Sequence, residues 1–158
     1  MNEELISKEE FMKETCKMAR LFALLYYHFA RVLVKEFGND RGKELIVRAV
    51  KDFALERGRK MREEALRLGF SLTSQSMSEL SDLPRYTFYT DEQGTHCPFA
   101  DVWEEKGVLG QELGLLYCNI NDPYKAKSFD SKARLYQYIK NRNLGYSECD
   151  HKNVEYLE

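Results

Sequence analysis

From Phe11 to Val32 one run of side chains, apolar except for a single threonine, steps alternately by four and three: Phe11, Thr15, Met18, Phe22, Leu25, Phe29, Val32. That spacing draws a single stripe down an α-helix and excludes a strand, whose faces alternate every second residue. Ala19, Tyr26, Ala30 and Leu33 widen the stripe, so the sequence predicts a well-buried helix. Its start is marked by Ser7-Lys8-Glu9-Glu10, which has the S-x-x-E form of a capping box. Gly38 predicts its end, because glycine readily takes the left-handed conformation that closes a helix. Asn39 or Asp40 then suits the cap of a second helix. Leu45, Ile46, Ala49, Val50, Phe53, Ala54, Met61, Ala65 and Leu68 give that helix its apolar side. Gly58 falls inside it and weakens it by roughly 1 kcal/mol relative to alanine, which predicts the close approach of another backbone there. Gly69 ends the second helix. Residues 1–69 therefore read as an αα-hairpin.

Beyond residue 69 the periodicity changes. Residues 70–84 are rich in Ser and Thr and suit a loop with a short helix at 74–80. Tyr86 to Thr90 is β-prone, Asp91-Glu92-Gln93-Gly94 is turn material, and 95–97 can return as a second strand. Helical patterns follow at 99–105 and 109–119. A strand is predicted at 135–139, a turn at 141–145 and a last strand at 147–157. Helices first and strands later argue for an α+β fold. The expected architecture is an N-terminal helical hairpin of two long helices packed on a small antiparallel sheet with short inserted helices. The 158 residues fit a single domain, 1–158, with 70–158 forming the sheet and short helices that carry the cysteines.

Hydrophobic residues at 43% and charged residues at 32% exclude a disordered chain. A net charge of −2 gives no broad electrostatic footprint for nucleic acid. The longest near-apolar stretch, 21–30, contains His28 and is too short to span a bilayer. The first residues, Met-Asn-Glu-Glu-Leu-Ile-Ser, lack the basic and apolar regions of a signal peptide. The expectation is a cytoplasmic protein whose four cysteines are reduced thiols, and whose partner is a small molecule rather than nucleic acid or membrane. Oligomeric state is not read from the sequence.

Walker A, G-x-G-x-x-G, H-E-x-x-H, G-x-S-x-G and C-x-x-C signatures are all absent. The remaining candidates for chemistry are Cys97, Cys118, Asp122 and Cys149. Cys97 precedes Pro98, which suits the first turn of a helix. A thiol at a helix N-terminus feels the positive end of the dipole, which favours thiolate and a nucleophilic role; a small buried cysteine is the plain alternative. If helix continues past residue 119, Cys118 and Asp122 share a face four residues apart, and the carboxylate can move protons. Otherwise Asp122 merely ends a helix before Pro123. Cys149 and His151 would share a strand face. No cofactor is called for, although three converging thiolates, or two with an imidazole, would suit zinc or another divalent metal. Cys16 and His28 read as packing and boundary residues. Arg57 either meets a substrate carboxylate or forms a surface ion pair.

The second half resembles the L-2-amino-thiazoline-4-carboxylic acid hydrolase family. The carrying residues are Cys97-Pro98-Phe99-Ala100-Asp101-Val102-Trp103, Leu113-Gly114-Leu115-Leu116-Tyr117-Cys118-Asn119-Ile120-Asn121-Asp122, Phe129, and Gly145-Tyr146-Ser147-Glu148-Cys149. Tyr26-Tyr27-His28-Phe29-Ala30, Glu36-Phe37-Gly38 and Glu56-Arg57-Gly58 extend the resemblance into the first half. Asp150-His151-Lys152-Asn153 departs from it, since family members often place an apolar strand after the last cysteine. The resemblance implies ring-opening hydrolysis of a small cyclic amidine at a C–N bond, with N-carbamoyl-cysteine as product. It also implies Cys97, Cys118, Asp122 and Cys149 as the catalytic set. The residue order is similar, more distantly, to small-molecule-binding domains of the 4-vinyl-reductase type, which would make the same pocket a ligand or metal sensor without catalysis.

Overall fold

The computed structural model describes residues 7–133 and 136–153; the side chains of 90, 151 and 153 lie outside the description. Helix α1 spans Lys8–Phe37 and starts where Ser7 Oγ accepts the Glu10 N–H at 3.1 Å. Gly38, at φ +78°, turns the chain directly into α2, Asn39–Arg67. The cap position of α2 is Gly38 itself, with no side-chain cap from Asn39 or Asp40. A short helix α3, Ser74–Glu79, is capped by Thr73 and Ser76. Strands β1, Tyr89–Asp91, and β2, Gly94–His96, pair antiparallel with Tyr89 opposite His96. Then come α4, Pro98–Glu105, and α5, Gly107–Phe129. Strand β3, Tyr136–Lys140, pairs antiparallel with β4, Asp150–Asn153, with a 3-10 turn at Arg142–Leu144 between them. Of the last strand expected at 147–157, residues 154–157 lie outside the described residues.

The fold corrects the α+β expectation. The described chain is mostly helical, and no antiparallel sheet receives the α1–α2 hairpin. The strands form two separate two-stranded ladders instead. The physical reason lies in α5. It was expected to stop near residue 119, yet it runs through Pro123 to Phe129 and supplies the packing layer assigned to the sheet. Helix α2 lies along α5, and α1 lies along α4.

Two slots of missing side chain fix these contacts. At Gly58 on α2, an added Cβ would sit 2.2 Å from the Lys125 carbonyl oxygen and 2.8 Å from Ser128 Cβ on α5. At Gly114 on α5, it would sit 2.3 Å from the Trp103 ring. Trp103 is fully buried, and its Nε1 donates to the Ala23 carbonyl at 3.1 Å, tying α4 to α1. Tyr26, Phe99 and Tyr117 surround its ring. Tyr26 Oη donates to the Leu113 carbonyl at 2.8 Å, tying α1 to α5.

Helix α1 corrects a second expectation. Its buried face is Thr15, Ala19, Ala23, Tyr27 and Ala30. Most of the stripe predicted to be buried faces outward: Met18 is 67% exposed, Leu25 57% and Phe29 65%. Small residues carry the inner face because they let helices approach closely, and the large apolar residues are left on the outside.

Gly58→Ala is expected to destabilise the protein by about 3 kcal/mol, because the new methyl meets α5 backbone that cannot yield cheaply. Lys60→Ala, exposed two positions on, is expected to cost no more than about 0.5 kcal/mol. Urea unfolding midpoints of the two variants check the contrast; equal midpoints would mean that α2 and α5 separate readily at this point.

Candidate active site

Cys97, Cys118, Asp122 and Cys149 line one cavity of about 260 Å³ together with Arg57, Asn121, Lys125, Tyr138 and Asn141. Four elements deliver these residues. The β2–α4 junction brings Cys97, α5 brings Cys118, Asn121, Asp122 and Lys125, α2 brings Arg57, and β3 brings Tyr138. The α5 residues stand at i, i+3, i+4 and i+7, so they share one helix face.

Cys97 is the N-cap of α4, with Pro98 in the first turn, and its Sγ accepts the Ala100 N–H at 3.4 Å. The expected thiolate is not the resting form. Burial dominates and pushes the thiol up from 9.0 to about 11, against the opposing pull of the Ala100 and Phe99 N–H groups. The nearby Cys149 raises it slightly further, and Arg142 acts the other way. Cys118 is held well above the ordinary thiol range by burial first, then by Asp122 and Cys97. Its Sγ lies 3.9 Å from Asn143 Nδ2. Cys149 is exposed, just ahead of β4. The side chain of His151 lies outside the described residues.

Asp122 does not end its helix. Its Oδ2 accepts from Tyr138 Oη and its Oδ1 from Asn121 Nδ2, both at 2.7 Å. The Lys125 ammonium stands 3.8 Å away. Asn121 Oδ1 in turn accepts from Arg57 Nη1 at 3.1 Å. Arg57 grips Asp82 with two hydrogen bonds of 2.6 Å, one to each carboxylate oxygen. The result is a chain of polar contacts, Asp82–Arg57–Asn121–Asp122–Tyr138, whose last four members line the cavity. The Arg57 side chain is only 11% exposed, so its ion pair is not a surface one. Arg57 holds the Asp82 carboxyl below its ordinary range, although burial works the other way. Burial, reinforced by Asp122, raises Tyr138 far above the ordinary phenol value. Tyr117 Oη is buried at the same cavity and has no hydrogen-bond partner among the described residues.

Asn121, Lys125 and Tyr138 were not anticipated. The first two follow from Cys118 by helical spacing once α5 is carried past Pro123; nothing in the sequence marks Tyr138. His96, beside Cys97, turns elsewhere: it stacks on Tyr89, and its Nε2 lies 2.9 Å from Asp91 Oδ1. Cys16 on α1 does not line the cavity. No three His, Cys, Asp or Glu side chains among the described residues are placed to hold a metal ion. No helix among them is long and apolar enough to cross a membrane.

The family model described as L-2-amino-thiazoline-4-carboxylic acid hydrolase matches residues 18–152. The chain belongs to this family. The match spans both halves of the fold and takes in every residue that lines the cavity. No curated protein and no solved structure matches the chain.

Raised thiol and phenol pKa values set the sign of the alkaline response. The folded state holds protons that the unfolded chain loses sooner, so stability present below pH 9 declines as pH rises from about 9 toward about 11. Urea midpoints across that range check it. At pH 7.5, iodoacetamide is expected to modify Cys149 first, with Cys97 and Cys118 at least tenfold slower than in the unfolded chain. Peptide mass mapping reads the order.

Proposed function

We propose that the chain is a ring-opening hydrolase for a small cyclic amidine bearing a carboxylate, with 2-amino-thiazoline-4-carboxylate as reference substrate. The observation that carries this reading is the meeting of a thiol, a carboxylate and an ammonium at one cavity in a chain of this family. Cys97 is the nucleophile in this reading. It is less deeply enclosed than Cys118, and its sulfur already accepts a helix N-terminal N–H, so the thiolate is stabilised at the moment it forms. A thiol that rests protonated needs a base, and Asp122 is the only carboxylate among the described residues that line the cavity.

Cys97 Sγ bonds to the amidine carbon while its proton passes by way of Asp122 to an amidine nitrogen. The ring sulfur leaves as a thiol, taking a proton from an amidine nitrogen by way of Asp122, and the carbon stays attached to Cys97 as an isothiourea. Water then adds to that carbon, and the Cys97 thiol departs with the proton returned by Asp122. One water is consumed and N-carbamoyl-cysteine is formed. That product keeps both amidine nitrogens, so the bond broken is the ring C–S bond. Breaking the ring C–N bond would give the S-carbamoyl isomer. Lys125 is the carboxylate anchor in this reading, since Arg57 is committed to Asp82.

Purified protein supplied with 2-amino-thiazoline-4-carboxylate is expected to release a free thiol, detected with Ellman's reagent, and N-carbamoyl-cysteine, detected by mass spectrometry. Cys97→Ala is expected to lower kcat/KM by about 10³-fold or more, and Asp122→Asn by roughly 10²–10³-fold. Lys125→Met is expected to act mainly on KM, raising it about tenfold, as an anchor of ground and transition state alike does. Unchanged turnover in Cys97→Ala would overturn the covalent mechanism. Saturable binding with no product at all would favour a binding module of the 4-vinyl-reductase type.

A further inference from the structure

The outward face of α1 is a feature that the proposed chemistry leaves unused. Met18, Phe22, Leu25, Phe29 and Val32 lie on it, and all are exposed despite their size. The face continues into an apolar groove of about 360 Å³ between α1 and α2, floored by Ile46, Val50 and Phe53. Isolated exposed apolar residues are ordinary, but a contiguous stripe of this size is not. At roughly 200 Å² for a large apolar residue, the exposed fractions of these five residues together with Phe11, Leu21 and Phe53 add to on the order of 800 Å². A stable protein interface needs about 800 Å² from each partner.

The spacing says what kind of surface covers it. Strict steps of four and three give a period of 3.5 residues, the a and d seam of a helix that packs along a second helix. Taking Thr15, Phe22 and Phe29 as a positions makes Phe11, Met18, Leu25 and Val32 the d positions. The residues one step before each a position are then Glu14, Leu21, His28 and Lys35 along the outer edge. On the inner edge the flanking residues Ala19, Tyr26 and Leu33 already pack into the protein's own core. A partner helix therefore has only the outer edge to pair with, which is the arrangement of an antiparallel pair and not of a parallel one.

An antiparallel second copy of α1 satisfies this surface. When Phe22 is laid against Leu25 of the second copy, Met18 meets its Phe29, while Thr15 is buried in its own subunit and takes no part. The same register sets Glu14 beside Lys35 of the second copy, and the two-fold axis repeats the pair at the other end. Opposite charges meet at both ends, where Glu14 exchanges or shares its exposed ion pair with Lys17 of its own helix.

We propose that the protein is a two-fold symmetric dimer joined through the outer face of α1, the helices running antiparallel with Glu14 opposite Lys35 of the other copy. The dimer is isologous, so the same patch serves both subunits and the interface closes on itself.

Sedimentation equilibrium of the full chain at 1–100 µM tests it. The expected species has twice the 18.6 kDa chain mass. Leu25→Glu, at a position already exposed, is expected to raise the dissociation constant at least 100-fold while circular dichroism stays unchanged. Lys35→Glu places like charges at both ends and is expected to weaken the dimer about tenfold. Adding Glu14→Lys to it is expected to restore wild-type association. A wild-type chain that remains monomeric at 100 µM would overturn the interface. A dimer that ignores Leu25→Glu would overturn it too, and a dimer weakened by Lys35→Glu but not restored by the double exchange would overturn the antiparallel register.

Discussion

The backbones of α2 and α5 touch at Gly58, and much of the molecule is arranged around that contact. No other residue fits there, because any Cβ would overlap the Lys125 carbonyl oxygen. The approach seats the neighbouring Arg57 within reach of Asn121, and Asn121 within reach of Asp122. A helix pair held a side chain's width further apart would leave the guanidinium short of the wall it now completes. Arg57 also spans a gap in sequence by holding Asp82, which pins the segment after α3 over the same cavity. One absent methyl group thus links a packing decision to the electrostatics of the candidate site.

Inside the cavity two effects compete for the thiol of Cys97, and their magnitudes decide the outcome. A helix N-terminus stabilises an adjacent charge by about 0.3–1 kcal/mol, reaching ~2 kcal/mol in partly buried geometry. Removing a thiolate from water costs more, since one pKa unit corresponds to about 1.4 kcal/mol and the thiol lies near 11. The helix end therefore moderates the cost of ionisation without reversing it. A thiol tuned in this way is inert until a base and an electrophile arrive together. That protects a cysteine in an open pocket from casual oxidation, because thiolate, not thiol, is the reactive form.

The sequence made some of this legible for local reasons. Ser7, Gly38 and Pro98 act through their own backbone and nearest neighbours, so their roles survive folding. Gly58 was legible as a place of close approach, though not the partner that approaches. Cys97, Cys118, Asp122 and Cys149 were named as candidates, and their convergence on one cavity came only with the fold, because it depends on where β2, α5 and β4 end in space. Pro123 misled. It removes one hydrogen bond and usually stops a helix, yet α5 passes through it, with Pro123 itself buried among its neighbours. Shortening α5 in this way hid Lys125 and left an apparent need for a sheet. Tyr138 reaches Asp122 across a connection of irregular structure, and no periodicity carries information over such a gap.

The misassigned face of α1 has a more general cause. Hydrophobic periodicity weights large side chains, so it centres on the stripe of Met, Phe and Leu, takes Ala19 and Ala30 only as its margin and passes over Ala23. Burial in a tightly packed helical core favours the small residues, because close backbone approach needs little volume between axes. Trp103 makes the point: its indole reaches the Ala23 carbonyl only because no larger side chain stands in its path. A helix with an alanine face and a large apolar face has two surfaces that avoid water. The fold uses the first to build its core. The second retains the 3.5-residue period of a helix that lies along another helix, with Glu14 and Lys35 at its two ends. A face meant only for solvent has no reason to keep that period over seven successive positions, and one meant for the core would have been covered at more of them than Thr15. The remaining use for such a surface is contact with a matching helix, and the spacing and end charges of a second α1 match it.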